Sequence, residues 1–293
     1  MTALVGGIEA GGTKFVVGIG TAEGGSRVTA RIATTGPDET IAAALAFFRE
    51  HDAALPVTAI GIAGFGPLDL DPRSPTYGHV LATPKPGWPG TDLRGRIAAG
   101  AGVPVGIETD VNAAALAEAR AAGDLADLAY VTVGTGIGVG LVVAGRPVHG
   151  AGHPELGHVR PRRHPAHEGF AGICPYHGDC LEGLASGPAI KAAWGVALDA
   201  LASDHPAHGA VADYLAQLCA TLLLAVAPAK IVIGGGVMGD GHLLPVIRAR
   251  TSALIADYLP QTGPDALETR IAAPACREPS GLIGAYLVAQ GVR

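Results

Sequence analysis

The spacing of hydrophobic and polar positions in the first part of the chain predicts short strands and helices separated by Gly- and Pro-rich turns. Runs of small, apolar and β-branched residues are typical of strands, and apolar residues recurring on one face at helical spacing predict helices. The predicted strands are Leu4–Ala10, Phe15–Gly20, Arg27–Thr35, Val57–Ala63 and Val103–Ile107. The predicted helices are Glu39–Asp52 and Asn112–Ala122. Strands alternating with helices in this order favour an α/β fold.

The second part of the chain repeats the arrangement of the first hairpin. A strand at Tyr130–Val133, a Gly-rich turn at Gly134–Gly138 and a strand at Val139–Val143 follow the order seen in residues 4–20. A helix, two strands and a terminal helix are predicted further on, at Ala210–Val226, Lys230–Ile233, Thr269–Ala272 and Ser280–Gln290. A duplicated βββαβα half is the economical explanation of this repetition.

The chain of 293 residues is long enough for two domains. The duplication predicts an N-terminal domain at residues 1–115, to which a C-terminal helix at 280–293 returns, and a C-terminal domain at residues 116–279. No long linker separates the two halves, so they are expected to face each other across a hinged cleft.

Composition and charge restrict the class of protein. A hydrophobic content of 48% allows extensive burial, and a net charge of -6 argues against a broad surface for nucleic acid or an anionic membrane. The N-terminus lacks the pattern of a signal peptide. The longest apolar run, around Leu218–Ala229, is shorter than the roughly 18–20 residues of a membrane span. We therefore expect a soluble, cytoplasmic protein.

The polar stretch from His153 to Gly183 has the composition of a metal-binding loop. Cys174, His177 and Cys180 place three zinc-type ligands within seven residues. The fourth ligand is left open among His153, His158, His164 and His167. The alternatives are a Cys174–Cys180 disulfide, which a cytosolic protein disfavours, or unrelated surface histidines and thiols.

A zinc ion with four protein ligands shapes a loop and performs no catalysis itself. Glu155 and Glu182 flank the zinc candidate. Either the metal-held loop aims these two carboxylates at a ligand, or they are ordinary exposed acids.

The first Gly-rich turn, Gly11-Gly12-Thr13-Lys14, joins two predicted strands. Such a turn exposes backbone N–H groups that can hold phosphate, although this motif taken alone favours an ordinary Gly-rich hairpin. It is not a Walker loop, because the spacing differs and no helix follows. Glu9 ends the first strand and is a candidate for holding a hydrated Mg²⁺.

Two later turns carry further candidate ligand-binding residues. Gly134-Thr135-Gly136 repeats the first turn, and two such turns, one in each half, can hold one phosphate chain. Gly234-Gly235-Gly236-Val237-Met238 follows an apolar strand and allows a flat ring to approach the backbone. A simple strand-to-helix turn is the alternative there.

Asp110 lies where a predicted strand meets the N-terminus of a helix. One interpretation is a helix N-cap, a common role for Asp. The other is a carboxylate that points into the cleft and accepts a proton. The residues alone leave both open.

Together these motifs resemble the ROK family of repressors and sugar kinases, within the actin-like ATPase superfamily. The matching segments occur in the family's order along the whole chain: GGIEAGGTK, GFGPLDL, VTVGTGIGVG, Glu155-Leu156-Gly157-His158, LEGLASGPAI and IVIGGGVMG. Glu9 stands where the family usually has Asp, and CPYHGDC replaces the usual C-x-C-G-x-x-G-C. This variant is most similar to the bacterial fructokinase branch.

The resemblance implies a role for each candidate residue. Asp110 matches the catalytic base, with Thr109 in place of the usual Asn, and His158 matches the fourth zinc ligand beside Cys174, His177 and Cys180. The positions that match sugar contacts are Gly66, Pro67, Glu155, His158 and Glu182. The positions that match ATP contacts are Gly11, Gly12, Thr13, Lys14, Gly134, Thr135, Gly136, Gly187, Pro188, Gly234, Gly235, Gly236, Val237 and Met238.

The resemblance therefore implies a duplicated actin-like ATPase fold and an ATP-dependent hexose kinase, with fructose as the expected sugar. ATP, Mg²⁺ and Zn²⁺ are the implied cofactors, and a homodimer is the implied assembly. The alternatives are a kinase for glucose or mannose and a sugar sensor without catalysis. A sugar-responsive repressor is disfavoured because no DNA-binding segment precedes Gly6, and the G-x-G-x-x-G pattern of an oxidoreductase is absent.

Overall fold

The computed structural model describes residues 3–292 and contains two five-stranded sheets. The strands of the first sheet are β1 (Val5–Ala10), β2 (Lys14–Thr21), β3 (Gly25–Ala33), β4 (Ile60–Gly64) and β5 (Val105–Thr109). Their order is β3-β2-β1-β4-β5. β1, β2 and β3 pair antiparallel, whereas β1, β4 and β5 pair parallel, so the carboxyl ends of three strands meet at one edge.

The second sheet has the same order of strands as the first. Its strands are β6 (Leu128–Val133), β7 (Ile137–Val143), β8 (Arg146–Pro147), β9 (Lys230–Gly234) and β10 (Ile271–Ala272). Their order is β10-β9-β6-β7-β8. When the strands of each sheet are numbered along the chain, both sheets have the order third, second, first, fourth, fifth; for the second sheet this is β8-β7-β6-β9-β10. The shared order confirms the duplication predicted from the repeated hairpins.

Nine α-helices lie in the described part of the chain. They are α1 (Pro37–His51), α2 (Leu93–Ala101), α3 (Asp110–Ala121), α4 (Leu181–Ala185), α5 (Gly187–Trp194), α6 (Pro206–Ala225), α7 (Leu244–Ile255), α8 (Pro264–Arg270) and α9 (Ser280–Gly291). The sequence pattern indicated no bounds for α2, α4, α5, α7 or α8; the apolar residues of α2 and α7 form no clear stripe. The predicted strand Thr269–Ala272 was too long: α8 includes its first two residues, and pairing with β9 begins at Ile271.

The chain divides into two compact units. Unit 1 comprises the residues up to Asp124, 140–154 and those from Ala275 onward; unit 2 comprises 125–139 and 155–274. The division differs from the predicted boundary at residue 115, because the whole of α3 packs within unit 1. Helix α3 packs closely against α9 at Gly284, since a Cβ at that position would lie 2.0 Å from the carbonyl oxygen of Ala113 in α3.

A buried carboxylate joins α3 to the C-terminal part of unit 1. Glu118 is fully buried. It accepts hydrogen bonds from the backbone N–H of Ala275, at 2.7 Å, and from the Ser280 hydroxyl at the start of α9. Unpaired buried charge is costly, so these donors explain why an acid is tolerated there. They also hold the predicted returning helix, α9, in place.

Trp88 belongs to the hydrophobic core of unit 1. The indole is fully buried, lies 5.6 Å from the ring of Phe15 and 5.2 Å from that of Phe65, and donates its N–H to the carbonyl of Thr35 at 2.9 Å. Trp88 is therefore a core residue of unit 1.

Helix α6 is the main core helix of unit 2. It is long and apolar enough to cross a membrane, but 67% of its apolar window is buried inside the protein. Its buried residues, which include Tyr214 and Leu218, follow its length. This burial is typical of the core helix of a soluble protein.

Candidate functional site

The first Gly-rich turn connects β1 to β2 in unit 1. The N–H of Gly11 donates to the carbonyl of Lys14 at 3.0 Å, which closes the turn. Thr34 fastens the turn to the neighbouring strand through its hydroxyl, which donates to the Gly11 carbonyl at 2.8 Å. Gly12, Thr13 and Lys14 are exposed. The predicted phosphate-binding residues therefore lie together on an accessible turn.

Glu9, the candidate magnesium residue, ends β1 beside this turn. Its Oε2 atom is buried and has no hydrogen-bond partner among the residues that the structure describes. Burial raises the pKa of Glu9, while the charge of Lys14 acts in the opposite direction. An orphaned carboxylate oxygen next to a phosphate-type turn fits a hydrated Mg²⁺, which prefers few carboxylates together with phosphate and water.

The second Gly-rich turn lies in unit 2 and is joined to α5. The N–H of Gly134 donates to the carbonyl of Gly136 at 2.9 Å, and the N–H of Gly187 donates to the carbonyl of Gly134 at 2.8 Å. Ser186 caps α5 by accepting from the N–H of Ala189 at 3.3 Å. The N-terminus of α5, with its partial positive charge, thus lies against the turn, an arrangement that suits phosphate.

A cavity of about 760 Å³ opens beside this turn and lies within unit 2. That volume matches a site for a small-molecule cofactor. Six predicted nucleotide residues line it: Gly134, Thr135, Gly187, Pro188, Gly236 and Val237. The other four predicted contacts in unit 2, Gly136, Gly234, Gly235 and Met238, are not among its lining residues.

Two of these four residues, Gly235 and Met238, lie beside the lining residues Gly236 and Val237 and support their backbone. Gly235 has a φ of 96°, and a Cβ there would lie 2.4 Å from the carbonyl oxygen of Val133, so only glycine fits between β9 and the following turn. Met238 is buried, with 4% exposure. Their part of the motif supports the backbone that Gly236 and Val237 present to the cavity.

The cavity also has polar residues that the sequence pattern did not indicate. His208, Asp240 and His242 line it. The Nδ1 atom of His208 lies 3.0 Å from Nε2 of His242, whose Nδ1 lies 2.9 Å from the Asp240 carboxylate. His208 and His242 are 34 residues apart, which explains why no local motif revealed the pair.

Asp110 is the first residue of α3, at the carboxyl end of β5 in unit 1. The N-cap is Thr109, whose hydroxyl accepts from the N–H of Asn112 at 3.1 Å. The structure therefore assigns capping to Thr109, and the N-cap interpretation of Asp110 was wrong. Asp110 is half-buried, and one carboxylate oxygen accepts from the N–H of Val111 at 2.8 Å.

The predicted sugar-side loop follows β4 in the same unit. Gly66 and Pro67 are joined by a cis peptide bond. The next residue, Leu68, donates its N–H to the Nε2 atom of His153 at 3.0 Å. That bond requires a neutral His153 with its proton on Nδ1, and burial lowers the pKa of His153.

Four side chains of unit 2 converge in the segment that the sequence predicts to be a metal-binding loop. The ligand atoms of His158, Cys174, His177 and Cys180 all lie within 4.8 Å of one another. The Nδ1 atom of His158 lies 3.5 Å from the sulfur of Cys180 and 3.7 Å from that of Cys174, which lies 3.6 Å from Nδ1 of His177.

These separations fit a tetrahedral zinc site. Zn–S bonds of about 2.3 Å and Zn–N bonds of about 2.0 Å give N···S separations of about 3.5 Å in a tetrahedron. Burial and the neighbouring Cys174 thiol raise the pKa of Cys180 to about 11, and a cation held at this position favours the thiolate. The donor set is typical of structural zinc.

Glu155 and Glu182 lie in unit 2 next to the cluster. Burial raises the pKa of Glu155; nearby His158 lowers it and Glu182 raises it. Glu182 accepts the N–H of Ile137 at 3.0 Å through Oε2. A Cβ on Gly136 would lie 2.6 Å from that oxygen, so Glu182 holds the end of the second Gly-rich turn.

The other three histidines considered as zinc ligands have different partners. His153 accepts from Leu68. His164 caps a short helical turn by accepting from the N–H of Ala166 at 3.1 Å. His167 is buried in an aromatic cluster, stacked on Trp194 at 4.3 Å. Of the four candidates, only His158 lies in the metal cluster.

The buried imidazole of His167 predicts a loss of stability in acid. Burial is the main cause that lowers the pKa of His167 to about 4, whereas an unfolded chain has a His pKa near 6.5. Between these values the unfolded chain binds a proton that the folded chain does not, so stability is retained above pH 6.5 and falls towards pH 4. The pKa difference corresponds to about 3 kcal/mol.

Urea unfolding of the wild type and a His167→Phe variant between pH 4 and pH 8 measures this effect. Phe keeps an aromatic ring beside Trp194 and removes the titrating group. We expect the slope of the unfolding free energy against pH to be shallower in the variant below pH 6.5. Parallel curves would show that His167 does not contribute to acid sensitivity.

Comparison with known proteins places these motifs in a family. The sequence profile of the ROK family matches residues 5–292. The chain belongs to the ROK family. Among ROK relatives, it is 43% identical to a fructokinase of Zymomonas mobilis, over 96% of this chain and 95% of the relative. It is 39% identical to a fructokinase of Lactococcus lactis, over 95% of this chain and 93% of the relative.

A solved ROK structure confirms the fold. The crystal structure of a ROK hexokinase from Thermus thermophilus matches this chain with a TM-score of 0.78 at 26% identity, covering 98% of each chain. ROK sugar kinases have the actin-like ATPase fold, and the duplicated sheets of the present chain agree with it. The family and fold predicted from the sequence motifs are both confirmed.

Proposed function

We propose that this ROK protein is an ATP-dependent fructokinase, which converts ATP and D-fructose to ADP and D-fructose 6-phosphate. The observation that carries the proposal is the 43% identity to the Zymomonas mobilis fructokinase over nearly the full length. The geometry agrees with it: unit 2 has a cavity of nucleotide size beside a Gly-rich turn, and unit 1 has a carboxylate at the head of α3.

In the proposed reaction, Asp110 orients the acceptor hydroxyl of the sugar and takes its proton. The hydroxyl oxygen forms a bond to the γ-phosphorus of ATP, the bond from that phosphorus to the bridging oxygen breaks, and ADP leaves. Phosphoryl transfer of this kind depends mainly on positioning and charge neutralisation. The role assigned to Asp110 agrees with the capping of α3 by Thr109, because the Asp110 carboxylate is not the N-cap of the helix.

In unit 2, the second Gly-rich turn and the N-terminus of α5 are assigned to phosphate binding; in unit 1, the first Gly-rich turn is assigned the same kind of contact. The adenosine is assigned to the cavity wall formed by Pro188, Gly236 and Val237. Glu9 would hold a hydrated Mg²⁺, because its buried Oε2 is an unsatisfied acceptor in the described chain. When bound, Mg²⁺ neutralises charge on the β- and γ-phosphates.

Zinc is proposed as a structural ion held by His158, Cys174, His177 and Cys180, whose ligand atoms converge. The Nδ1 atom of His158 faces the sulfurs, which leaves Nε2 on the opposite side of the ring for the proposed sugar contact. Through His158, the site would fix the backbone that carries Glu155, the other proposed sugar residue of this segment. The proposed role of the zinc ion is thus to fix the conformation of the loop.

The preferred sugar is proposed as fructose, with glucose or mannose as the second candidate. A ROK hexokinase is among the structural relatives, and a single hydroxyl contact changes selectivity substantially. Thr109, at the position where relatives have a sugar-contacting Asn, uses its hydroxyl to cap α3. Sugar choice in this chain is therefore assigned to the other sugar-side residues, among them Pro67 and Glu155.

Two further expectations are kept as proposals. The cytoplasm is proposed as the location, since none of the four cysteines is in a disulfide and reducing compartments keep cysteines in that state. A homodimer is proposed from the family resemblance, and light scattering of the purified protein measures it.

Release of ADP in the presence of ATP and Mg²⁺ tests the proposed activity. Fructose, glucose, mannose and N-acetylglucosamine are supplied separately, and ATP without sugar measures background hydrolysis. We expect the highest kcat/KM with fructose. A higher value with another hexose would replace fructose as the substrate, and no turnover with any sugar, despite measurable sugar binding, would favour the non-catalytic sensor.

A further inference from the structure

A buried carboxylate lies directly before the proposed catalytic base. Glu108 of β5 is 4% exposed. Its Oε1 atom accepts from the N–H of Thr109 at 2.8 Å and from the Nδ2 atom of Asn112 at 3.0 Å. These bonds join the backbone directly before Asp110 and the side chain of Asn112, two residues after it, to one carboxylate oxygen.

The rest of this buried network is also complete. Asn112 is 1% exposed, and its Oδ1 accepts from the N–H of Leu141 at 2.9 Å. Its own N–H donates to the Thr109 hydroxyl. Buried polar networks whose members are all satisfied hold one rigid arrangement. The strand-to-helix junction that carries Asp110 is therefore held by side chains outside the reacting set.

The second oxygen of Glu108 pairs with a histidine that is distant in sequence. Nε2 of His149 lies 2.7 Å from Oε2 of Glu108, and the two side chains are 41% and 5% exposed, respectively. The hydrogen bond to Glu108 raises the pKa of His149. When His149 is protonated, its partly exposed imidazole compensates the charge of a carboxylate that is almost fully buried.

We propose that Glu108 and His149 form a positioning pair that holds Asp110 in its catalytic orientation. The inference rests on the proposed kinase function and adds two residues to its machinery. Neither residue is assigned contact with sugar or nucleotide. They act through Thr109 and Asn112, whose bonds to Glu108 and to each other fix the first turn of α3.

The pair also predicts a pH dependence with a definite sign. His149 has a raised pKa, so the ion pair is present below that pKa and is lost as the pH rises through it. The charged or titratable groups that face His149 are Glu108 and His153. His153 has a lowered pKa because of burial, and it accepts from Leu68 as a neutral ring. The kcat of the wild type is expected to decline as His149 deprotonates.

Three variants and a control test the pair. His149→Gln removes the cation, and His149→Lys restores a cation that stays protonated to about pH 10. Glu108→Gln keeps the shape but removes the carboxylate. His51→Gln is the control, because His51 is a partly exposed histidine of unit 1 that contacts the Phe47 carbonyl. For each protein, kcat and KM for fructose are measured from pH 5.5 to 9.5, together with the melting temperature.

We expect His149→Gln and Glu108→Gln to lower kcat at pH 7 by about 10- to 100-fold, the cost of misplacing a catalytic group by about 1 Å. KM for fructose should change little, and both variants should lose the alkaline decline. His149→Lys should recover most of kcat and remain active at alkaline pH. The control should follow the wild type.

Three outcomes would overturn the inference. One is a His149→Gln variant whose kcat follows that of the wild type at every pH. Another is a variant with a lower melting temperature but an unchanged kcat and pH profile, which indicates a structural role alone. The third is a wild-type protein that phosphorylates none of the four sugars, which refutes the proposed function as well; in the first two outcomes the wild type is active and only the pair is refuted.

Discussion

Replacing Asp110 with Asn is expected to lower kcat for sugar phosphorylation by about 10²- to 10⁴-fold, the usual contribution of a general base. Asn has nearly the shape of Asp but cannot take the proton of the acceptor hydroxyl. Its amide oxygen can still accept from the N–H of Val111, which Asp110 accepts at 2.8 Å. The measurement is steady-state release of ADP with saturating fructose and ATP.

A matched control separates the chemistry from the fold. Asp38 also lies in the first turn of a helix of unit 1, and its side chain is 92% exposed. Asp38→Asn should retain the wild-type kcat. Asp110→Asn should keep the wild-type melting temperature, because Thr109 remains to cap α3, and should still bind fructose in calorimetry. A kcat of Asp110→Asn within threefold of the wild type would remove Asp110 as the base; threefold corresponds to only about 0.65 kcal/mol in the barrier.

Loss of the zinc ligands is expected to have the second largest effect. Cys174→Ser and Cys180→Ser should each lower the zinc content from about one ion per chain, the content of a four-ligand structural site, to a small fraction of it. Zinc binding contributes directly to folding free energy in such sites. The melting temperature and kcat/KM for fructose should therefore fall together, because the His158 side chain and the backbone at Glu155 lose their fixed position.

Cys276→Ala provides the control for this prediction, since Cys276 is a partly buried thiol of unit 1 outside the cluster. Its zinc content and kcat/KM for fructose should equal those of the wild type. Zinc is measured by elemental analysis of protein purified without chelator. If chelation removes the metal completely and the melting temperature and fructose turnover stay unchanged, the loop does not depend on zinc.

Local patterns were sufficient for most of the strands and for the duplication. β1, β2, β6 and β7 follow runs that contain Val, Ile and other residues enriched in strands, and the Gly-rich turn after β1 is indicated by its own residues. The helices α2 and α7 were missed because their apolar residues are not arranged in one stripe. Their helical state depends on packing against the rest of each unit.

For the metal cluster, local spacing predicted three of the four ligands. The spacing of Cys174, His177 and Cys180 indicated three ligands, because residues three apart on a turn come close together. The residues alone left four histidines for the fourth position, and the family motif selected His158. The structure brings the Nδ1 atom of His158 to 3.5 Å from Cys180, 22 residues away.

The amino-acid sequence by itself determined the α/β class, the repeated strand–turn–strand units, the family and the identity of most candidate residues. Only the tertiary structure decided that Thr109 caps α3, that Trp88 belongs to the core, and that Glu108 pairs with His149, 41 residues away. Strand and helix preferences arise from neighbouring residues, which a sequence displays directly. The partner of a buried polar group depends on which strands and loops the sheet topology makes neighbours, and residue spacing does not encode that.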